Sequence, residues 1–106
     1  MDDKHNVDLT NVEGFEWDEG NVNKNKLKHN VETSECEEVF FNEPRITLDD
    51  TRHSPEKEKR YRVLGRTTKG REFAVAITLR NNKIRVIMAR DQSKKERTLF
   101  ESEQKQ

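Results

Sequence analysis

Arginines recur along the second half of the chain, at Arg60, Arg66, Arg71, Arg80, Arg85 and Arg90, and His29 and His53 precede them, the first with Lys24 and Lys28 close by. Guanidinium forks match phosphate oxygens in pairs and stabilise charge that builds up in a transition state. A histidine, lysine or glutamate within reach can move a proton. RNA carries its own nucleophile in the 2′-hydroxyl, so a phosphodiester gripped by such a group can be cleaved without a metal. Arg80 and Arg85 flank one short turn, which allows their side chains to lie close together. The same residues also have a structural reading. Arginines on an antiparallel sheet pair across strands with acids such as Glu72, and a histidine in the last turn of a helix is stabilised by the helix dipole whatever else it does.

Other chemistries find no residues to carry them. The chain has no glycine-rich phosphate loop, no serine-nucleophile motif and no histidine pair at zinc-binding helical spacing. Cys36 is the only cysteine, so neither an internal disulfide nor a cysteine-based zinc site can form, and its expected role is that of a small buried side chain. No cofactor is expected. Lysine and arginine together number 21 and so do aspartate and glutamate, giving a net charge of +0. General affinity for nucleic acid comes from clustered positive charge, so a basic surface here must be local.

The elements that must position these residues read as follows. Residues 1–13 lack periodicity and are expected to form a flexible leader that includes His5. "GFEW" (Gly14 to Trp17) alternates two aromatics with Glu16 and suits a short strand. Asp18 is placed to cap a helix over Glu19 to His29, with Asn30 in the left-handed position that ends it. On that helix Asn21, Lys24, Asn25, Lys28 and His29 form one polar face, leaving Val22 and Leu27 as anchors. A second helix over Ser34 to Phe41, capped by Thr33 and stapled by Val31, places Cys36, Val39 and Phe40 on an apolar stripe. "RITLDD" reads as a strand running into a charged loop at Thr51 to Lys59. Strands over Tyr61 to Arg66, Glu72 to Arg80 and Lys83 to Ala89 follow, joined by turns at Thr67 to Gly70 and at Asn81-Asn82. In the middle one Phe73, Val75, Ile77 and Leu79 share the better core face, and Ala74, Ala76, Thr78 and Arg80 share the other. "SKKE" has capping-box spacing and opens a last helix with Leu99 and Phe100; the tail, 102–106, is expected to fray.

This order predicts a single α+β domain, an antiparallel sheet with two N-terminal helices and one C-terminal helix on one face. Its 106 residues, 29% hydrophobic and 40% charged, set one domain as the ceiling. Low hydrophobicity with balanced charge fits a folded body with polar ends. The first residues lack an apolar run, and no window approaches the length that spans a bilayer, so a cytosolic protein is expected.

Read in order, "FEWDEGN", Asn25, "KHNV", "EVFF", "DDTRHS", "EKRYRVLGRT", "GREFAVAITLR", "IRVIMARD" and "KKERTLFE" resemble the BrnT toxins of bacterial type II toxin-antitoxin modules over about residues 14–101. The resemblance implies a fold similar to RelE-type ribonucleases, RNA cleavage that inhibits translation, and a BrnA-like antitoxin with a ribbon-helix-helix part. In such modules the two proteins form a heterotetramer that reaches operator DNA through the antitoxin. The family pattern falls on Trp17, Asp18, Asn25, Lys28, His29, His53, Arg60, Gly65, Gly70, Arg71, Thr78, Arg80, Arg85, Arg90 and Glu96. Lys28, His29 and His53 become candidates for proton transfer or phosphate contact, and Arg80, Arg85 and Arg90 candidate phosphate clamps. Asn25, Arg60, Arg71 and Glu96 are further family positions; Trp17, Asp18, Gly65 and Gly70 read as structural. The sequence departs from the pattern at Asn30 for a glycine, at Glu32 for a frequent serine, and at Phe100 where many members carry tyrosine, losing a hydroxyl but keeping a ring that could stack on a base.

A catalytically weak or inactive module that docks RNA or its antitoxin is the competing reading, and a stand-alone DNA-binding regulator a third, against which the neutral charge and lack of a helix-turn-helix signal argue.

Overall fold

Local capping chemistry sets the first helix. In the computed structural model, which describes residues 12–50 and 58–104, the Asp18 carboxylate accepts the Asn21 N–H at 3.2 Å and starts α1 (Glu19–His29). Asn30 ends it in the left-handed conformation, φ 53°, with its N–H on the carbonyls of Asn25 and Lys26. Both ends lie where the sequence places them.

The buried side of α1 is not the expected one. Leu27 is 86% exposed, so it is no anchor, whereas Asn25 from the polar face is 3% exposed. The cause lies in the sheet. Strand β1 (Gly14–Glu16) is three residues long and pairs in parallel only with Lys83, Ile84 and Arg85 of β5 (Lys83–Asp91). Further along β5 the Ala89 N–H has no β1 neighbour, and the Asn25 carbonyl Oδ1 accepts it at 3.3 Å. A buried amide left unpaired costs about 1–3 kcal/mol, as much as burying a leucine gains. The helix therefore turns its amide inward.

Helix α2 (Thr33–Glu38) begins one residue before the expected start and ends three before the expected end. Glu32, not Thr33, occupies the cap position, and its N–H donates to the Glu35 carboxylate at 3.1 Å. The apolar stripe is as expected: Cys36, Val39 and Phe40 are buried, with Val31 beside them. Burial, and secondarily the charge of Glu37, pushes the Cys36 thiol up to about 12, so it stays protonated.

The sheet is completed by β2 (Ile46–Asp49), β3 (Arg60–Arg66) and β4 (Glu72–Arg80), in the order β1-β5-β4-β3-β2. All neighbours but β1 and β5 are antiparallel, so the sheet is mixed. Asn81 and Asn82, at φ 52° and 61°, make the β4–β5 connection a type I′ hairpin, and Gly70, at φ 93°, supplies the left-handed residue of the β3–β4 turn.

Cross-strand register sorts the side chains onto two faces. Val63, Phe73, Val75, Ile77, Ile84, Val86 and Ala89 pack with Val31, Cys36, Val39 and Phe40. Strand β5 keeps this face through a bulge. Ala76 pairs with Met88 and Ile77 with Val86, so Ile87 is left over. Were Ile87 paired in a regular ladder, Ala89 would point away from the core. On the opposite face Ile46, Leu48, Leu64 and Ala74 pack around Phe100 of α3 (Lys94–Gln104). The helices thus divide between two faces, α2 on one and α3 on the other, contrary to the one-sided packing expected. Leu64 and Ala74 leave an apolar hollow there that Phe100, fully buried, fills.

The expected capping box opens α3, with the Ser93 N–H on Glu96 at 2.8 Å and the Glu96 N–H on the Ser93 hydroxyl at 3.2 Å. The helix takes in Ser102, Glu103 and Gln104, residues assigned to the fraying tail. Among the described residues no helix is long and apolar enough to cross a membrane.

Candidate functional site

Strand alternation and the β5 bulge gather positive charge on the α3 face. Paired rows run across β3, β4 and β5: Arg60–Thr78–Arg85, then Arg62–Ala76–Met88, then Leu64–Ala74–Arg90, with Arg80 opposite Lys83 at the hairpin end. Residues directly opposite point to the same side. Helix α3 covers the Leu64–Ala74 row through Phe100 but leaves Ala76, Ile87 and Met88 half-exposed.

Glu96 organises the centre of this face. Its two oxygens accept a bidentate fork from Arg90 at 2.7 and 3.1 Å, and Arg62 Nε approaches at 3.3 Å. Burial pushes the Glu96 carboxyl toward neutrality, but the Arg90 hydrogen bonds, the Ser93 N–H and the charges of Arg90 and Arg62 outweigh it and hold the group below the ordinary carboxylate range. In turn the bond from Glu96 raises Arg90 further above its ordinary value, against the opposing effect of burial. The other cations also have carboxylate neighbours. Arg80 bonds Glu58 at 2.8 Å, and Arg85 bonds Glu16 at 2.9 Å with Asp18 at 3.5 Å. These pairs hold guanidinium planes in fixed orientation on a solvent-facing sheet, with remaining N–H groups available to an anion.

Two depressions mark the face. A pocket of about 240 Å³ is lined by Ala74, Ala76, Ile87 and Met88 together with Asp50, Arg62 and Arg90. A more open cleft of about 590 Å³ lies toward the hairpin, between Glu58, Lys59, Tyr61, Thr78, Leu79 and Arg80. The Thr78 hydroxyl donates to the Lys59 carbonyl at 2.9 Å and ties the start of β3 to β4 there.

The residues singled out from sequence fall into separate places. Arg60, Arg80, Arg85, Arg90 and Glu96 share this face. Arg71 does not. It lies over the Phe73 ring at 4.6 Å, on the α2 side, and donates to the carbonyls of His29 and Asn30 while meeting Glu35 and Asp91. Arg71 is a clasp between the end of α1, the start of α2 and the end of β5. Lys28 is exposed and His29 half-buried at that same end of α1, and the Asn25 Oδ1 is engaged by Ala89 while its buried Nδ2 has no hydrogen-bond partner. His53 lies outside the described residues. Phe100 is 0% exposed beneath the Arg66 guanidinium, 5.7 Å from the ring centre, so it offers no face for a base to stack on.

Sequence reasoning missed Arg62 and Asp50. Arg62 was legible, since it alternates with Arg60 at strand period. Asp50 was not, because its place in the pocket lining follows from β2 pairing with β3.

A search of curated proteins gives no match. A family model described as the ribonuclease toxin BrnT of type II toxin-antitoxin systems matches residues 17–96, from the Trp17 beside the α1 cap to the Glu96 that holds Arg62 and Arg90. That span takes in the arginine-bearing strands and most of the chain, which therefore belongs to the BrnT family of type II toxin-antitoxin ribonuclease toxins.

Proposed function

We propose that the protein is a metal-independent endoribonuclease of the cytoplasm that inhibits translation and is neutralised by a BrnA-like ribbon-helix-helix antitoxin. The observation that carries this reading is the open sheet face that bears Arg60, Arg62, Arg80, Arg85 and Arg90, with Arg62 and Arg90 lining a sheltered pocket and Arg80 a second cleft. In the reaction the 2′-oxygen attacks the adjacent phosphorus, a 2′,3′-cyclic phosphate forms, and the 5′-oxygen leaves and takes up a proton. Positive charge from Arg80, Arg85 and Arg90 stabilises the extra negative charge on the phosphoryl oxygens, the part a metal plays elsewhere. The proton carriers are drawn from Lys28, His29 and His53. Lys28 and His29 end a helix whose carbonyls are clasped on the other side. Antitoxin and toxin assemble as a heterotetramer, and operator DNA is contacted through the antitoxin, which fits a toxin of zero net charge.

The test is induction of the protein alone in a bacterial host, followed by growth and total RNA, with the purified protein assayed on RNA in excess chelator. Growth arrest and chelator-resistant cleavage ending in cyclic phosphate are expected. Intact RNA at good expression refutes the reading, and cleavage lost on chelation removes its metal-independent part. One observation favours a second reading, a module that binds RNA or antitoxin without cutting: Arg80, Arg85 and Arg90 each already engage a carboxylate. RNA retention without cleavage products would select it.

A further inference from the structure

We infer that the cleft of about 590 Å³ at the hairpin end is a phosphate seat, and that the Glu58 carboxylate occupies it until an RNA phosphodiester displaces it. The identity of that ligand rests on the ribonuclease reading; the seat itself rests on geometry. Glu58 and Arg80 both line the cleft. Glu58 Oε1 accepts from Arg80 Nη2 at 2.8 Å, while its Oε2 lies 4.0 Å from Arg60 Nη2. One carboxylate thus stands between two guanidinium groups, where the oxygens of a phosphate meet the same donors. The chain beside it is pinned, because the buried Thr78 hydroxyl donates to the Lys59 carbonyl. Displacement therefore falls to the Glu58 side chain.

Of Arg80, Arg85 and Arg90, the first is the one poised for exchange. Arg90 is forked onto Glu96 by two bonds, and the Glu96 side chain is 8% exposed. Arg85 meets two acids, Glu16 and Asp18. Among the described residues Arg80 meets Glu58 alone, through a single nitrogen, and its side chain is 47% exposed. An ion pair this open to water shifts an equilibrium by roughly five-fold at most. A phosphodiester has two unesterified oxygens and takes two N–H groups of the fork at once, the stronger arrangement. Lys59, which meets Asp49 at 3.6 Å, adds positive charge to the same cleft. The volume falls within the roughly 300–1,000 Å³ of clefts that enclose small ligands, so a nucleotide unit fits together with its phosphate. Inorganic phosphate presents the same oxygens without the rest of the nucleotide.

The unmodified chain is titrated with inorganic phosphate while the Arg80 Nε–H and the Glu58 carboxyl carbon are followed by NMR. Both signals should move together; shifts confined to other residues overturn the inference. In a second arm a labelled single-stranded oligonucleotide of mixed sequence is titrated by fluorescence anisotropy, with 2′-O-methyl riboses that block attack by the 2′-oxygen. Glu58→Gln should tighten its binding by roughly five-fold, the upper worth of the exposed pair it breaks. That gain should vanish in the Arg80→Ala background. Glu43→Gln, the same change of charge at an exposed residue in the turn after α2, should give none. No gain, a gain that persists without Arg80, or an equal gain from Glu43→Gln overturns the seat. So does weaker binding by Glu58→Gln, which would make Glu58 a support for Arg80. Phosphate binding at Arg80 without oligonucleotide binding reduces it to a small-anion site and overturns the assignment to RNA. A chain that meets every expectation and leaves natural RNA intact keeps the seat and refutes the ribonuclease; one that cuts RNA and fails them does the reverse.

Discussion

Glu96 and Arg71, opposite in charge, show how two charged residues of one family pattern serve different ends. The Glu96 carboxylate is lower in pKa in the folded state than in the unfolded chain, where 4.5 is ordinary. Its contribution to stability is therefore complete above that ordinary value and is lost as the pH falls through the lowered one. Glu96→Gln should cost about 1.5–3 kcal/mol at neutral pH, the range for hydrogen bonds to charged groups, and much less in acid. Thermal melts at pH 7 and at pH 3 check the difference; an equal loss at both would show that the carboxylate charge is not what matters. Arg71→Ala, which frees the His29 and Asn30 carbonyls, should lower the melting temperature while the folded fraction keeps its RNA cleavage rate. Arg80→Ala and Arg85→Ala should do the opposite, leaving the melting temperature nearly unchanged and cutting the rate on the order of 10²-fold or more, as loss of a charge-stabilising donor does. Full cleavage by both variants would remove Arg80 and Arg85 from the clamp.

Elements whose signals are local were legible in the sequence. Asp18, Asn30, the Asn81-Asn82 turn and the Ser93–Glu96 box each act within a few residues, and each stands where its chemistry places it. What escaped was decided at a distance. Leu27 points outward because Ala89, far along the chain, needs an acceptor. The second helix ends early, with Phe41 78% exposed, although its core stripe was read correctly. The site was half legible for the same reason: the arginines were visible, but only strand register shows that Arg71 stands apart from them. Packing of α2 on β3 gives a test at this scale. A Cβ on Gly65 would sit 2.5 Å from the Val39 Cγ1 atom, and Val39 is fully buried with nowhere to move. Gly65→Ala should destabilise by about 1–3 kcal/mol, as overpacking does. In a double-mutant cycle Val39→Ala should relieve part of that loss, whereas additive effects would place the cost elsewhere.

At the scale of the whole molecule the sheet separates two tasks. One face, closed by α2, holds the fold; the other, partly closed by α3, displays the cations. The division depends on Ile87, the residue on β5 that pairs with nothing on β4. It acts as a parity bit in the strand. Every side chain after it, Met88, Ala89, Arg90 and Asp91, owes its side of the sheet to that one uncounted position. Were Ile87 paired in a regular ladder, Met88 onward would be inverted, sending Arg90 into the core and Ala89 out; deleting Ile87 altogether would instead remove the bulge and leave each of these residues with its present partner and side. Loss of one residue should therefore be milder at Ile87 than at any paired position of β5, where it would shift the alternation of everything that follows.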